Sequence, residues 1–99
     1  MFIPKRKFEL SCVLLEIWRF APDDFEYIST SVTPKPTMDT DYERLRKGIE
    51  FVFRQKRFNE SRPRLLELVE ESYSAYTSGD KSKGMALISD IMAMMGKMK

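Results

Sequence analysis

Apolar side chains in the second half of the chain recur every three or four residues, and this period limits the possible folds more than any other feature. The first series contains Tyr42, Leu45, Ile49, Val52 and Phe53. At 100° per residue these side chains fall within an arc of about 100° on a helical wheel. The second series contains Leu65, Leu68, Val69, Tyr73 and Tyr76. A strand would need a period of two, so both series predict amphipathic helices.

Sequence signals for helix ends divide this half of the chain into three segments. The residues Thr-Asp-Tyr-Glu at 40–43 have the spacing of a capping box and predict a helix over 41–58. Pro63 restarts a helix near its first turn, where proline is tolerated. The Gly-Asp pair at 79–80 predicts a C-terminal cap followed by the N-cap of a last helix, which runs to about Met95.

The segment 8–20 admits two interpretations. Its apolar residues cover most of the circumference of a helix, which predicts a central helix buried on many sides. The alternative is a β-hairpin within 8–32, because every second residue over 8–14 is apolar and β-branched and aromatic residues follow the Pro-Asp pair. The alternation fails once Val13 and Leu15 are included, so the helix is favoured.

The predicted fold class is therefore all-α. Residues 1–99 are expected to form one domain, since a chain of this length supports a single modest core. We expect a small bundle of four to five helices, and the alternative is an α+β fold with the hairpin in 8–32.

Three features of the sequence predict a cytoplasmic protein that does not enter a membrane. No apolar run reaches the ~18 residues that a membrane-spanning helix needs. The basic stretch 1–7 is followed by Glu9 and Glu16 and by no small-residue cleavage site, so it is not interpreted as a signal peptide. Cys12 is the single cysteine and cannot form an internal disulfide.

The chain contains no histidine, which argues against most catalytic and metal sites. Histidine is the commonest general base and a frequent ligand of zinc and iron. The carboxylates are scattered, and the acids at 23–26 lack the spacing of a calcium loop and fit helix capping instead. We predict a protein that is not an enzyme and holds neither a cofactor nor a metal.

Charged residues are sorted into blocks of one sign. The block 44–64 has eight bases and two acids, a net charge of +6, whereas 21–43 carries −5 and 65–80 carries −4. Such blocks create local fields that select charged partners. The predicted acidic contact surface consists of Asp23, Asp24, Glu26, Asp39 and Asp41. The predicted basic and aromatic contact surface consists of Arg44, Lys47, Phe51, Arg54, Arg57 and Phe58.

The basic block has a structural and a functional interpretation. On a helix, Glu43 and Glu50 lie four residues before Lys47 and Arg54. The structural interpretation is therefore an exposed face that carries weak ion pairs. In the functional interpretation, Phe51 and Phe58 lie opposite the apolar stripe and are surrounded by arginine and lysine side chains. They could stack unpaired nucleic-acid bases or anchor a protein partner, or they could pack against a second helix. A nucleic-acid regulator using the helix 41–58 is the alternative to a protein-binding protein.

Methionines are concentrated in the last helix, where they could fill the core or form a contact. Methionine adapts to irregular surroundings. If the edge formed by Leu87, Met94 and Met98 is exposed, it could mediate a homodimer.

The chain resembles known proteins in one local motif and in its general character. The residues Ala75-Tyr76, Gly79-Asp80, Lys83 and Ile88 resemble one helical hairpin of the tetratricopeptide type over 73–95. In length, charge blocks and lack of catalytic residues, the chain resembles the small cytosolic immunity proteins of bacterial toxin systems. That resemblance implies an inhibitor that neutralises a toxin domain by direct binding.

Overall fold

A computed structural model describes residues 3–22, 24–27 and 37–98 of the chain. The described residues form four α-helices and two short 3₁₀ turns, at Asp24–Tyr27 and Lys56–Phe58. The helices are α1 (Lys7–Phe20), α2 (Met38–Val52), α3 (Ser61–Thr77) and α4 (Lys81–Lys97). The described ranges contain no strand, so the predicted all-α bundle is confirmed. Of the alternative hairpin within 8–32, residues 8–20 are helical, and residues 23 and 28–32 lie outside the described residues.

The helix α1 buries one face, not most of its circumference. It packs against α2 and α4 and places Leu10, Leu14 and Ile17 in the core with no exposed surface. The opposite side carries Phe8 and Trp18, which remain 76% and 42% exposed. The prediction of a central helix buried on many sides was therefore wrong, because neighbouring helices cover only the side that includes residues 10, 14 and 17.

The helix α2 begins and ends earlier than the capping signals predicted. Its N-cap is Thr37, whose hydroxyl accepts a hydrogen bond from the Thr40 backbone amide at 3.2 Å. The Thr40 hydroxyl in turn accepts from the Thr37 amide at 2.8 Å. The helix stops at Val52 because the buried rings of Phe53 and Phe58 meet edge to face, with centroids 5.0 Å apart. The predicted continuous helix over 41–58 is thus replaced by a helix, a turn and one 3₁₀ turn.

The helices α3 and α4 form an antiparallel hairpin with a tight turn. Gly79 has a φ of 90°, a left-handed conformation that glycine adopts at little cost. The Asp80 side chain caps α4 by accepting a hydrogen bond from the Lys83 amide at 3.1 Å. Pro63 lies in the first turn of α3. Both helix starts and the glycine turn match the sequence prediction, while α4 continues two residues past Met95.

A single core lies where the four helices meet, and the methionines of α4 belong to it. Met95 and Met98 are buried, and Met94 is half-buried against the core. Leu87 is half-buried in the same way. The edge predicted for a homodimer contact is therefore largely covered by the chain itself.

Candidate functional site

The outer surface of α1 carries a row of exposed apolar side chains. We call this surface the α1 outer face and define it as Phe8, Ser11, Cys12, Leu15 and Trp18. The spacing places all five on one side of the helix, opposite the residues that enter the core. Phe8 is 76% exposed, Leu15 52% and Trp18 42%, and the Cys12 thiol is exposed as well.

The size of this surface distinguishes it from scattered surface leucines. Among the described residues, only one other large apolar side chain, Phe51, is comparably exposed. An aromatic side chain presents roughly 150–250 Å², so the exposed fractions of Phe8 and Trp18 alone amount to about 250 Å². Contiguous apolar patches of a few hundred Å² on a folded domain commonly mark contact surfaces. The α1 outer face is therefore the leading candidate for a binding site.

Cations stand at both ends of the α1 outer face. Lys5, Arg6 and Lys7 are exposed at its N-terminal end, and Arg19 is exposed at its C-terminal end. The Lys7 ammonium donates to the Met98 carbonyl at 2.8 Å. None of these four bases forms an ion pair with a carboxylate in the described part of the chain. The surface thus combines an apolar centre with positively charged ends.

A partly buried charge cluster fixes α1 against α2. Asp41 is fully buried and bonds the Arg44 guanidinium, and its Oδ2 has no hydrogen-bond partner among the described residues. The Arg44 Nη2 also lies 3.6 Å from the Glu16 Oε2. Burial, together with the adjoining Asp41 carboxyl, raises the pKa of Glu16 to about 7. Burial also raises the pKa of Asp41, although Arg44 opposes the shift.

This cluster has an evident role in holding the helices together. A carboxyl that keeps its proton costs less to bury than a carboxylate, and a neutral Glu16 does not repel the buried Asp41. The three side chains then form one network between α1 and α2. The cluster orients α1, and with it the α1 outer face, relative to the rest of the bundle.

The predicted acidic contact surface is not brought together in the described residues. Asp41 is fully buried, because it lies on the side of α2 that faces α1. Asp39 is exposed and accepts a hydrogen bond from the Tyr73 hydroxyl at 2.6 Å. Asp24 is half-exposed in the 3₁₀ turn. Asp23 and the side chain of Glu26 lie outside the described residues.

The predicted basic and aromatic surface also loses two members to the interior. Phe58 is only 6% exposed and packs on Phe53. Arg44 turns inward to the charge cluster. A continuous helix over 41–58 would align Phe58 with Phe51, but the chain turns after Val52 and the two rings are separated.

The remaining members of that surface are exposed but divided. Lys47 pairs with Glu43 at 2.9 Å, as the spacing predicts. Arg54 lies beyond the end of α2, so the predicted pair with Glu50 is not formed. Its guanidinium instead stacks 4.3 Å from the centroid of the exposed Phe51 ring. The guanidinium of Arg57 lies 4.7 Å from the centroid of Phe58.

Much of the positive charge of 44–64 is engaged within the protein. Arg46 makes two hydrogen bonds to Glu70, at 2.5 and 3.0 Å, and Arg64 pairs with Glu67 at 2.7 Å. Arg62 donates to the Phe53 carbonyl at 2.6 Å. A phosphate backbone is bound best by an uninterrupted field of free cations. These pairings weaken the case for a nucleic-acid surface here.

An open groove of about 460 Å³ runs beside α3 and the start of α4, and its acidic lining includes Glu70, Glu71 and Asp80. The described residues contain no group of three or more histidine, cysteine or acidic side chains placed to hold a metal ion. Within those same ranges, no helix has both the length and the apolar character needed to cross a membrane.

Sequence reasoning missed the α1 outer face, although one signal for it was present. The wheel assigns Phe8, Leu15 and Trp18 to one side, where Ser11 and Arg19 are interleaved with them. Small and charged residues within an apolar row are unusual for a side that is buried in a core. That interruption marks the side of α1 that faces solvent.

Comparison with protein-family models, with curated proteins and with solved structures gives no match for this chain.

Proposed function

We propose that this protein is a non-catalytic protein-binding protein whose contact surface is the α1 outer face. The observation that carries the proposal is the exposure of Phe8, Leu15 and Trp18 on one side of a helix whose opposite side is packed in the core. Keeping large apolar side chains in water is unfavourable, at roughly 25 cal/mol per Å². Burial against a partner would recover this free energy, and aromatic anchors commonly dominate such contacts.

The mode of action that we propose is inhibition by direct occupation of a partner. A small cytoplasmic inhibitor of the immunity type needs only a rigid surface that covers a functional region of its target. The α1 outer face is held on a packed bundle and braced by the charge cluster between Glu16 and Asp41. A rigid surface of this kind binds at low entropic cost. A toxin domain is the partner class that the general resemblance implies.

A nucleic-acid regulator remains the second candidate, with Phe51 and Arg54 as its strongest support. Their exposed cation–π stack is the part of the predicted basic and aromatic surface that the fold preserves. The internal pairing of neighbouring arginines makes this candidate the weaker one.

The test uses two matched variants. Leu15→Asp places a charge in the α1 outer face, and Phe51→Asp makes the same change at an exposed apolar position on α2. Proteins captured from an extract of the source cells are identified, purified and titrated with each variant. We expect a stoichiometric complex with the wild type and with Phe51→Asp, and none with Leu15→Asp. The partner's activity should fall as the complex forms.

Two results would count against this proposal. Loss of binding in Phe51→Asp but not in Leu15→Asp would move the contact to the basic and aromatic surface. Retention on single-stranded RNA or duplex DNA that falls steeply with salt would instead support the regulator.

A further inference from the structure

The α1 outer face contains a depression with the geometry of a helix-packing site. Phe8, Ser11, Cys12 and Leu15 occupy positions i, i+3, i+4 and i+7, and four residues in this arrangement form the hole that receives a side chain of a facing helix. The two middle residues are small, and the two outer ones are large and more than half exposed. A neighbouring helix can therefore approach closely at Ser11 and Cys12.

The length of the surface also fits a helix. Ten residues separate Phe8 from Trp18, which corresponds to about 15 Å along the axis. About three turns of a partner helix would cover this distance. Trp18 lies one turn beyond Leu15 and can contact the end of the same partner.

The charges around the depression indicate the charge that a partner helix should carry. Lys5 and Lys7 stand near one end and Arg19 near the other, all exposed. The two acids of α1 lie on one flank and are already engaged. Glu9 accepts from the Lys5 backbone amide at 2.9 Å, and Glu16 faces Arg44. A partner with acidic residues beside its apolar row would meet, at each end, a cation that forms no ion pair with a carboxylate of the described residues.

We infer that the α1 outer face accepts an acidic amphipathic α-helix of a partner protein, with one apolar side chain in the hole formed by Phe8, Ser11, Cys12 and Leu15. The inference rests on the proposed function and names the class of partner. The acids of that helix would lie against Lys5 at one end and Arg19 at the other.

Two other occupants fit the surface less well. In a second copy packed antiparallel about Cys12, Lys5 of one chain would lie beside Arg19 of the other, and a parallel pair would oppose each cation to itself. Anionic headgroups would meet the same cations as an acidic helix, but a lipid surface makes no use of a hole that admits a side chain. Charge and shape together favour the acidic helix.

The test uses Trp18, the single tryptophan of the chain, as the reporter. Two tryptophan-free peptides of about 20 residues, long enough to form helix, share one apolar row and differ in flanking residues, which are glutamate in one and lysine in the other. The full chain is titrated with each. We expect a blue shift of Trp18 emission and about tenfold tighter binding of the glutamate peptide.

Charge reversal provides the sharper comparison. Arg19→Glu should weaken binding of the glutamate peptide and strengthen binding of the lysine peptide. The matched control is Lys81→Glu, an exposed reversal on α4, which should change neither affinity. Leu15→Asp should abolish the binding of both peptides.

Several results would overturn the inference. They are equal affinities for the two peptides, no binding of either, preference for phosphatidylserine vesicles, or a dimer in sedimentation that Leu15→Asp dissociates. The proposed function is tested separately by the purified partner. If that partner binds through Leu15 while the glutamate peptide does not, the function stands and the acidic helix is wrong. If no protein partner is recovered, the function fails whatever the peptides do.

Discussion

Replacing Gly84 with alanine should destabilise the protein, although alanine is the better helix former. Gly84 is buried where α4 crosses α3, and a Cβ atom there would lie 2.7 to 2.8 Å from three ring atoms of Tyr76. Contacts this short force the ring or the helix to move, and overpacking of a core typically costs about 1–3 kcal/mol. The helix propensity of alanine offsets about 1 kcal/mol of this cost. The net loss in the free energy of unfolding is therefore between about 0 and 2 kcal/mol.

Gly96 supplies a matched control on the same helix. A Cβ at this position meets no atom within 4 Å, so Gly96→Ala should gain up to about 1 kcal/mol. The difference between the two alanine variants then isolates the steric cost, about 1–3 kcal/mol. Urea unfolding followed by circular dichroism gives both free energies, and the thermal midpoints should separate by about 4–8 °C per kcal/mol.

A second substitution tests whether the Tyr76 ring is the cause. The Tyr76 hydroxyl is buried and has no hydrogen-bond partner in the described part of the chain, so Tyr76→Leu removes the obstructing ring without breaking a polar contact within that part. In that background Gly84→Ala should become neutral or stabilising, because the space is free. If Gly84→Ala is as stable as Gly96→Ala in the wild type, or if Tyr76→Leu does not change its effect, the close packing described for α3 and α4 is wrong.

Three further predictions concern the charge cluster, a buried hydrogen bond and the hairpin turn. Because folded Glu16 keeps its proton to a pH of about 7, against an ordinary value of 4.5, the folded state binds more protons in this interval and its stability should fall as pH rises through it. Glu16→Gln should flatten that part of the urea-midpoint profile, and an unchanged profile would contradict the assignment. Tyr42→Phe should cost about 1 kcal/mol in urea unfolding, since the Tyr42 hydroxyl and Ser72 Oγ are 2.6 Å apart in the core; no loss would mean that this bond contributes little. Gly79→Ala should cost about 1–2 kcal/mol because residue 79 has a φ of 90°, and an Asn substitution should cost less than Ala if backbone strain is the reason.

The parts of the fold that depend on neighbouring residues were predictable from the sequence. The turn at Gly79, the cap at Asp80 and the restart at Pro63 each depend on residues within one helical turn. The end of α2 was not predictable in this way. It depends on the contact between Phe53 and Phe58, and nothing in the local spacing shows that those two rings meet.

The difference between local and long-range contacts also explains why the α1 outer face was not predicted. Periodicity shows which residues of α1 share a side, but it does not show which side α2 and α4 cover, so Trp18 was expected in the core. The pair Glu43–Lys47 follows from its spacing. The pair Arg46–Glu70 joins residues far apart in sequence, and local spacing does not predict it. The positive charge of 44–64 is therefore more fully engaged in ion pairs in the fold than the sequence indicates.

The exposed thiol of Cys12 has a practical consequence for any study of binding. It lies at the base of the hole on α1, and the chain has no other cysteine. Alkylation would therefore add a single mass increment per chain, and a helix bound over the depression should slow it. Air oxidation would join two copies through the same depression and leave neither able to accept another helix, so preparations stored without a reductant would gradually lose binding capacity.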